Sequence, residues 1–296
     1  MIVCALVLII APVIQSSYSG EIGATDWLYR HSVWISRYIQ GDFSPIIEYV
    51  PLFHWLMLPF VYFDFPVIWL QVVFISLATF GILYFVRKFG NEKMLLYTSF
   101  LLAGSIGFVA GASQLMPQSL DYFLFPICLI FYYQNRVKIL VPLLIIMFFL
   151  HNTGIIFIGI LFAHSFLTKR KKMFFPILIM VIVLSPIFWW YQFETRQILT
   201  WVWDMEAQLE WESQYLDPLW KFFIYSGFLT WILLPYASYK FCKGKFKFTE
   251  MQLLYVIWVV AFLPLPFFNM GWWRMITYQI VPLSLLVASM MSHEIS

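Results

Sequence analysis

The chain consists largely of long apolar runs that short polar segments separate. The runs cover approximately 1–15, 67–86, 94–111, 119–134, 138–150, 155–167, 173–190, 218–239, 251–267 and 275–291. A helix needs roughly 20 predominantly apolar residues to cross a bilayer. Hydrophobic residues make up 62% of the sequence and charged residues only 11%, against about 25% charged residues in soluble domains. The sequence therefore predicts an all-α fold, a polytopic transmembrane helix bundle of about ten spans.

Composition also narrows the function. The 14 Trp and 17 Tyr residues favour a membrane interface, where an apolar ring meets a polar edge. The net charge is only +3, and no basic tract is interleaved with aromatic residues, so we expect no nucleic-acid partner. The three cysteines, Cys4, Cys128 and Cys242, have no paired spacing and predict neither a disulfide framework nor a metal site.

The apolar residues 1–14 allow two interpretations. They form either a first spanning helix or a secretory signal with a small-residue exit at 16–20. A secretory signal begins with a basic segment, and no Lys or Arg precedes this run. We therefore favour the spanning helix.

The segment 50–63 decides the topology. Its sequence, VPLFHWLMLPFVYF, is apolar, but Pro51 and Pro59 fit a short, broken helix better than a span. We predict that it lies against the outer membrane surface. Thirteen of the 18 Lys and Arg residues then fall in cytoplasmic loops, as the positive-inside rule requires, and twelve of the 15 Asp and Glu residues fall outside. The four basic loops are 87–93, 136–138, 169–172 and 240–247.

This topology predicts two large non-cytoplasmic loops, at about 15–66 and about 191–217. The inner loops are short and basic, which leaves no room for a cytoplasmic domain, and no internal repeat is evident. We expect residues 1–296 to form a single transmembrane domain of a multi-pass integral membrane protein. The expected location is the plasma membrane, where membrane lipids surround the helices.

Residues 26–40 of the first outer loop predict an amphipathic helix on the membrane surface. Its apolar face consists of Trp27, His31, Trp34, Ile35, Tyr38 and Ile39. Arg30 and Arg37 project toward water or lipid headgroups. Asp26 has two interpretations. In the structural one it caps the helix or pairs with Arg30. In the functional one its carboxylate acts as a base or a metal ligand. His31 is either an interfacial aromatic residue or a catalytic group.

Three motifs resemble the GT-C superfamily of membrane glycosyltransferases. The first outer loop carries Asp26–His31 (DWLYRH), then Gly41, then Tyr49–His54 (YVPLFH). Met116–Leu120 (MPQSL) resembles the turn that opens the fourth span of archaeal and bacterial relatives, and Trp272–Arg274 (WWR) resembles their arginine near the lipid phosphate. The resemblance implies a transferase without a soluble domain that uses a sugar carried on a polyprenyl phosphate or pyrophosphate.

The resemblance also implies roles for individual residues. Asp26 would be the catalytic base or the ligand of a divalent metal, Mg or Mn, and Glu48 is the second candidate for the essential carboxylate. Arg274 would stabilise the departing phosphate, because arginine binds phosphate bidentately and stays charged. The alternative for Arg274 is an interfacial residue that snorkels. Asp26 is followed by Trp27, so there is no paired acidic motif, which leaves the donor and the metal open.

Further candidates for substrate binding share the predicted outer face. They are Arg196, His31, His54, Gln118 and His151. Arg196 would be a second phosphate contact, and Gln118 a partner of sugar hydroxyls. The second outer loop predicts either a solvated amphipathic helix or a lid whose tryptophans stack on sugar rings. His164, in an apolar run near the inner surface, is expected to hydrogen-bond a neighbouring helix.

Other classes of function leave their own signatures. The chain has no phosphate-binding loop, nucleophile elbow, HExxH pair or dinucleotide-binding glycine motif, which argues against an ATP-driven pump and a soluble-type hydrolase. A secondary transporter or lipid flippase would place charged residues near the bilayer midplane, whereas the ionisable groups here gather at one rim. A non-catalytic subunit of a membrane complex, with partners that the sequence does not name, is the third alternative.

Overall fold

The computed structural model describes residues 10, 31–48, 50–113, 115–151, 154–191, 227–243, 248–262 and 272–292. Within these residues the side chains are described except at 47, 48, 67, 68, 106, 110, 113, 118 and 272–277. All regular structure in this part of the chain is helical. The prediction of an all-α chain is therefore confirmed for the described residues.

The helices follow the predicted apolar runs closely. In chain order they are α1 Ser32–Ile39, α2 Pro45–Glu48, α3 Leu52–Tyr62, α4 Val67–Phe89, α5 Glu92–Ala103, α6 Ile106–Ser113, α7 Pro117–Tyr133, α8 Val137–Leu150, α9 Gly154–Leu167, α10 Lys171–Trp189, α11 Phe228–Lys243, α12 Glu250–Ala261 and α13 Trp272–Ser292. The predicted first span, 1–15, lies outside the described residues apart from residue 10.

Two helices are long and apolar enough to cross a membrane. They are Trp69–Phe89, within α4, and Lys171–Trp189, which is α10. Their mean hydropathies are 2.0 and 2.1. At 1.5 Å per residue each covers about 30 Å, the thickness of a hydrocarbon core. Six shorter apolar helices accompany them in the described part of the chain, so ten full-length spans are not confirmed.

The surface of α10 fits an apolar solvent. Phe175, Ile179, Ile182 and Val183 lie on one face of the helix, and each is more than half exposed. Soluble proteins rarely expose a continuous apolar face of this kind. The exposure of α10 thus supports contact with a membrane.

The run 94–111, predicted as one span, forms two helices. α5 ends at Ala103 and α6 begins at Ile106. Between them, the Ser105 hydroxyl accepts a hydrogen bond from the backbone N–H of Phe108 at 3.2 Å. A serine that accepts a bond from the N–H three residues later is a helix N-cap. The prediction of one continuous span is wrong here, because Ser105 starts a new helix.

The segment 50–63 folds as the single helix α3. Its 11 residues cover about 16 Å, roughly half of a hydrocarbon core. Pro59 lies inside the helix without ending it, so the predicted break is wrong. Phe53 and Met57 are buried on the packed face of α3, and tertiary packing of this kind outweighs the local penalty of a proline.

The chain divides into two compact units. Unit A comprises residues 5–85 and 110–196, and unit B comprises residues 1–4, 86–109 and 197–296. In unit A, α7, α8, α9 and α10 pack in succession. α8 also contacts α3, which packs against α1. In unit A, the short first-loop helices α1 and α3 therefore pack together with a group of longer apolar helices.

The centre of unit B is α13, on which α5, α11 and α12 each pack. Residues 278–290 of α13 are buried on every side, as expected for a helix that is apolar around its circumference. The Gln279 amide donates to the Val259 carbonyl of α12 at 3.0 Å. The Lys240 ammonium donates to the Met291 carbonyl at 2.8 Å, which satisfies an acceptor in the last turn of α13.

Candidate functional site

The structure brings together two of the predicted site residues, His31 and His54. His31 directly precedes α1, and His54 lies in the first turn of α3. The distance from Nδ1 of His31 to Nε2 of His54 is 2.9 Å, a hydrogen bond between two buried rings that are 23 residues apart. One ring donates and the other accepts, so at least one imidazole of the pair is neutral.

Aromatic rings enclose this histidine pair. Trp34 and Phe53 meet the His31 ring edge to face, with centroids 5.8 and 5.3 Å away. Trp34 also meets His54 at 5.2 Å, and the Tyr38 ring lies 6.1 Å from it. Burial lowers the pKa of His54 to about 4, so the imidazole is neutral at physiological pH. The arrangement is a buried, hydrogen-bonded imidazole pair within an aromatic wall, and a few polar groups in an apolar wall are typical of sites for polar ligands.

Of the predicted amphipathic helix 26–40, the structure describes residues 31–40, and these form a helix over Ser32–Ile39. Ile35 and Tyr38 are buried, as the spacing predicts, but Ile39 is exposed. The helix ends before Gly41, whose φ of 83° is one that glycine adopts without strain. The chain therefore turns directly after α1.

The turn after α1 is held by a small polar network. The Arg37 guanidinium donates to the Asp42 carboxylate at 2.7 Å and to the Ser44 hydroxyl at 2.7 Å. Hydrogen bonds from the Ser44 hydroxyl and N–H, together with one from Arg37, hold the pKa of Asp42 at about 2. Arg37, predicted to project toward water or lipid headgroups, is partly exposed and ion-paired with Asp42.

A second pair, which sequence reasoning missed, joins Asp121 of α7 to His151 after α8. The Asp121 Oδ2 lies 3.5 Å from the His151 Nδ1, and the two side chains are 0% and 10% exposed. The sequence offered a signal for this pair, because an acidic residue inside the apolar run 119–134 is costly in a membrane and marks function by default. The sequence alone marks His151 as a candidate at a helix end and does not indicate its partner.

One apolar cluster contains chain neighbours of residues from both pairs. Its buried members are Ile35, Phe53, Met57, Leu70, Phe74, Leu115, Leu120 and Leu150. Phe53 precedes His54 in the chain, Leu120 precedes Asp121, and Leu150 precedes His151. Both polar pairs of unit A therefore border the same core, where α7 begins and α8 ends.

The end of α10 is tied to the first loop in the same unit. Tyr191, which follows α10, donates its hydroxyl hydrogen to the Ile46 carbonyl of α2 at 3.0 Å. The two residues are 145 positions apart in the chain. The start of the predicted second outer loop thus lies beside the first, as expected for loops on one face.

His164 lies at the other end of the helices. Its Nδ1 is 2.8 Å from the Tyr132 hydroxyl of α7, which confirms the predicted hydrogen bond to a neighbouring helix. The Arg170 guanidinium lies over the rings of Tyr132 and Tyr133, 5.5 and 5.0 Å from their centroids. We interpret this cluster of His164, the two tyrosines and Arg170 as structural. It links the ends of α7 and α9 before the turn into α10.

Replacing Tyr132 by phenylalanine is expected to lower the free energy of unfolding by about 1 kcal/mol, because an interhelical hydrogen bond in a membrane protein contributes that much. Thermal unfolding in nanodiscs measures the effect. Tyr62→Phe, at an exposed tyrosine of α3, is the control and is expected to melt like the wild type. Equal melting of the Tyr132 variant would show that the bond to His164 carries no stability.

The remaining predicted residues are placed in part. Glu48 ends α2, Gln118 lies in the first turn of α7, and Arg274 lies in the first turn of α13, each with its backbone alone described. Asp26 and Arg196 lie outside the described residues. Within the described part of the chain, no group of three or more His, Cys, Asp or Glu side chains is placed to hold a metal ion. The metal role of Asp26 stays a prediction, as do the phosphate roles of Arg196 and Arg274.

Comparisons with protein-family models, with curated proteins and with solved structures found no match for this chain. The resemblance to the GT-C superfamily stays a prediction from the sequence motifs.

Proposed function

We propose that this chain is a membrane glycosyltransferase of the GT-C type. It moves a sugar from a polyprenyl phosphate or pyrophosphate donor to an acceptor on the non-cytoplasmic face. The observation that carries the proposal is the hydrogen bond between His31 and His54. Each histidine is the last residue of one of the two first-loop motifs, DWLYRH and YVPLFH. The two segments on which the resemblance rests thus meet at their ends.

The chemistry of this pair suits a sugar. Neutral imidazoles donate or accept single hydrogen bonds, which match sugar hydroxyls without attracting ions. Trp34 is half-buried beside the pair, and its ring offers an apolar face to the apolar face of a sugar ring. In this proposal Asp26, five residues before His31, is the base or the ligand of Mg or Mn, with Glu48 as the second candidate. Arg274 and Arg196 contact the phosphate.

The proposed setting is a multi-pass protein of the plasma membrane with both large loops outside. The bond from Tyr191 to Ile46 supports one part of this topology, because it holds the start of the second loop beside the first. The partners in this proposal are the polyprenyl-linked donor and membrane lipids, with no nucleic acid. If the chain is instead a non-catalytic subunit, its partners are the other subunits of a membrane complex.

The second candidate function is a secondary transporter or lipid flippase. The buried Asp121 favours it, because ionisable groups inside spanning segments mark the paths of ions and substrates. Its position argues for the first candidate instead. Asp121 is the fifth residue of α7 and pairs with the residue after the last turn of α8, so it lies at helix ends, not at their middle.

A transfer assay tests the proposed function. Purified protein in nanodiscs is given polyprenyl-phosphate and polyprenyl-pyrophosphate sugars with candidate acceptors, and glycosylated product is quantified. We expect His31→Gln and His54→Gln to transfer roughly tenfold more slowly or worse, since each removes part of the site's hydrogen bonding. Asp26→Asn and Arg274→Ala are expected to lose more.

Trp55→Phe is the matched control, because Trp55 adjoins His54 but is exposed on the other side of α3. It is expected to keep the wild-type rate. Wild-type rates in all four site variants would refute the site. Vesicle uptake or lipid scrambling without sugar transfer would support the transporter instead.

A further inference from the structure

Asp121 is the one buried carboxylate among the described side chains. Burying an ionised carboxylate is expensive unless a partner offsets the lost hydration. The imidazole of His151 lies 3.5 Å away. A carboxyl group and an imidazole this close can share one proton between them.

Among the described side chains, the basic groups of the surrounding helices lie at the end away from the pair. Its own helix and the elements packed against α7 and α8 carry other titratable or charged groups. The described ones are His54, Tyr62, Tyr84, Arg87, Lys88, Tyr122, Cys128, Tyr132, Tyr133, Arg136, Lys138, His164, Arg170, Lys171, Lys172 and Tyr191. The described ion-pair partner of Asp121 is His151.

We propose that Asp121 and His151 together are the proton acceptor of the sugar transfer, with His151 as the catalytic residue and Asp121 as the residue that positions and stabilises it. This deepens the proposed function and rests on it. The acceptor oxygen attacks the anomeric carbon and forms the new glycosidic bond. The bond from that carbon to the phosphate oxygen breaks, and its electron pair stays on the polyprenyl phosphate. The proton of the acceptor hydroxyl passes to the imidazole.

Two features of the site support this assignment. A base that works near neutral pH is most often a histidine held by a carboxylate, because the carboxylate fixes the ring and stabilises the imidazolium that forms. The pair also borders the apolar cluster that carries the His31–His54 site. If His151 takes the proton, Asp26 is left with the other role that the family resemblance allows, the metal ligand.

The first test follows the proton without any sugar. Infrared spectra of the protein with carbon-13 aspartate, recorded across pH, report carboxyl and carboxylate bands. We expect one aspartate band that Asp121→Asn removes and whose midpoint His151→Gln moves by more than about one pH unit, because coupled groups shift one another. Asp64→Asn, at an exposed aspartate, is expected to leave that band in place. An unmoved band in the His151 variant would overturn the pairing.

The second test measures transfer. His151→Gln is expected to reduce kcat by roughly 100-fold or more, the usual contribution of a general base, with KM little changed and with the pH dependence of kcat flattened. Asp121→Asn is expected to reproduce the flattened profile, and Asp121→Glu to restore part of the rate. A wild-type pH profile in His151→Gln would overturn the catalytic role. If the wild type transfers no sugar while the coupled titration holds, the proposed function fails and the pair stands as a proton-binding site.

Discussion

Gly154→Ala is expected to lower the free energy of unfolding by about 2 kcal/mol, the cost of overpacking a closely packed site. A Cβ at this position would lie 2.7 Å from the Cα of Phe148 and 2.9 Å from the carbonyl carbon of Met147. Both atoms belong to the backbone of α8, so no side chain can rotate away. The Gly154 N–H also donates to the His151 carbonyl at 2.8 Å, so the same change should disturb the His151 ring.

Gly159→Ala is the matched control for this prediction, because it lies on the same helix with no atom within 4 Å of a Cβ. Alanine in a helix interior is expected to stabilise the protein by about 0.5–1 kcal/mol relative to glycine. Thermal unfolding of both variants in nanodiscs measures the difference. If Gly154→Ala melts at or above the wild-type temperature, α9 does not begin as close to α8 as the structure places it.

Acid is expected to weaken the fold through His54. Its pKa is about 4 in the folded protein against an ordinary value of 6.5, so unfolding lets the ring take up a proton. The stabilising contribution is complete above pH 6.5 and is lost as the pH falls from 6.5 toward 4. The linkage relation converts this shift into about 3 kcal/mol at pH 4.

The measurement is the melting temperature of the wild type and of His54→Gln between pH 7.5 and pH 4.5, taken as the difference between the two proteins. Groups that do not touch His54 are the same in both proteins and cancel in that difference, whereas its hydrogen-bond partner His31 belongs to the effect being measured. We expect the acid-induced drop to be smaller in His54→Gln. Parallel curves would mean that His54 is not held neutral by burial.

Much of the fold follows from local signals in the sequence. The length and composition of the apolar runs locate the helices. A run such as the one between Arg136 and His151, or between Gly154 and Lys169, must satisfy its backbone hydrogen bonds internally in an apolar medium, and a helix does so. The hydrogen bond of His164 to a neighbouring helix followed from its place in such a run. These inferences need no knowledge of how the helices pack.

The rest depends on contacts that local sequence does not encode. Ser105 looks like any small residue in an apolar run until its hydroxyl caps the following helix. Pro59 predicts a break, but buried neighbours on α3 hold the helix through it. His31 and His54 are each predicted from the sequence as candidate site residues, but their hydrogen bond forms only because α1 packs on α3. The partner of His151 was missed for the same reason.

The central claim is that the segment from His31 to His54 binds a polyprenyl-linked sugar. A donor analogue with a photoreactive group on the sugar, crosslinked to the wild-type protein in nanodiscs and mapped by mass spectrometry, tests it directly. We expect the label on peptides that contain Trp34 or His54, with competition by unmodified donor and loss of labelling in His31→Gln. Competable labelling confined to other parts of the chain, or none at all, would contradict the assignment.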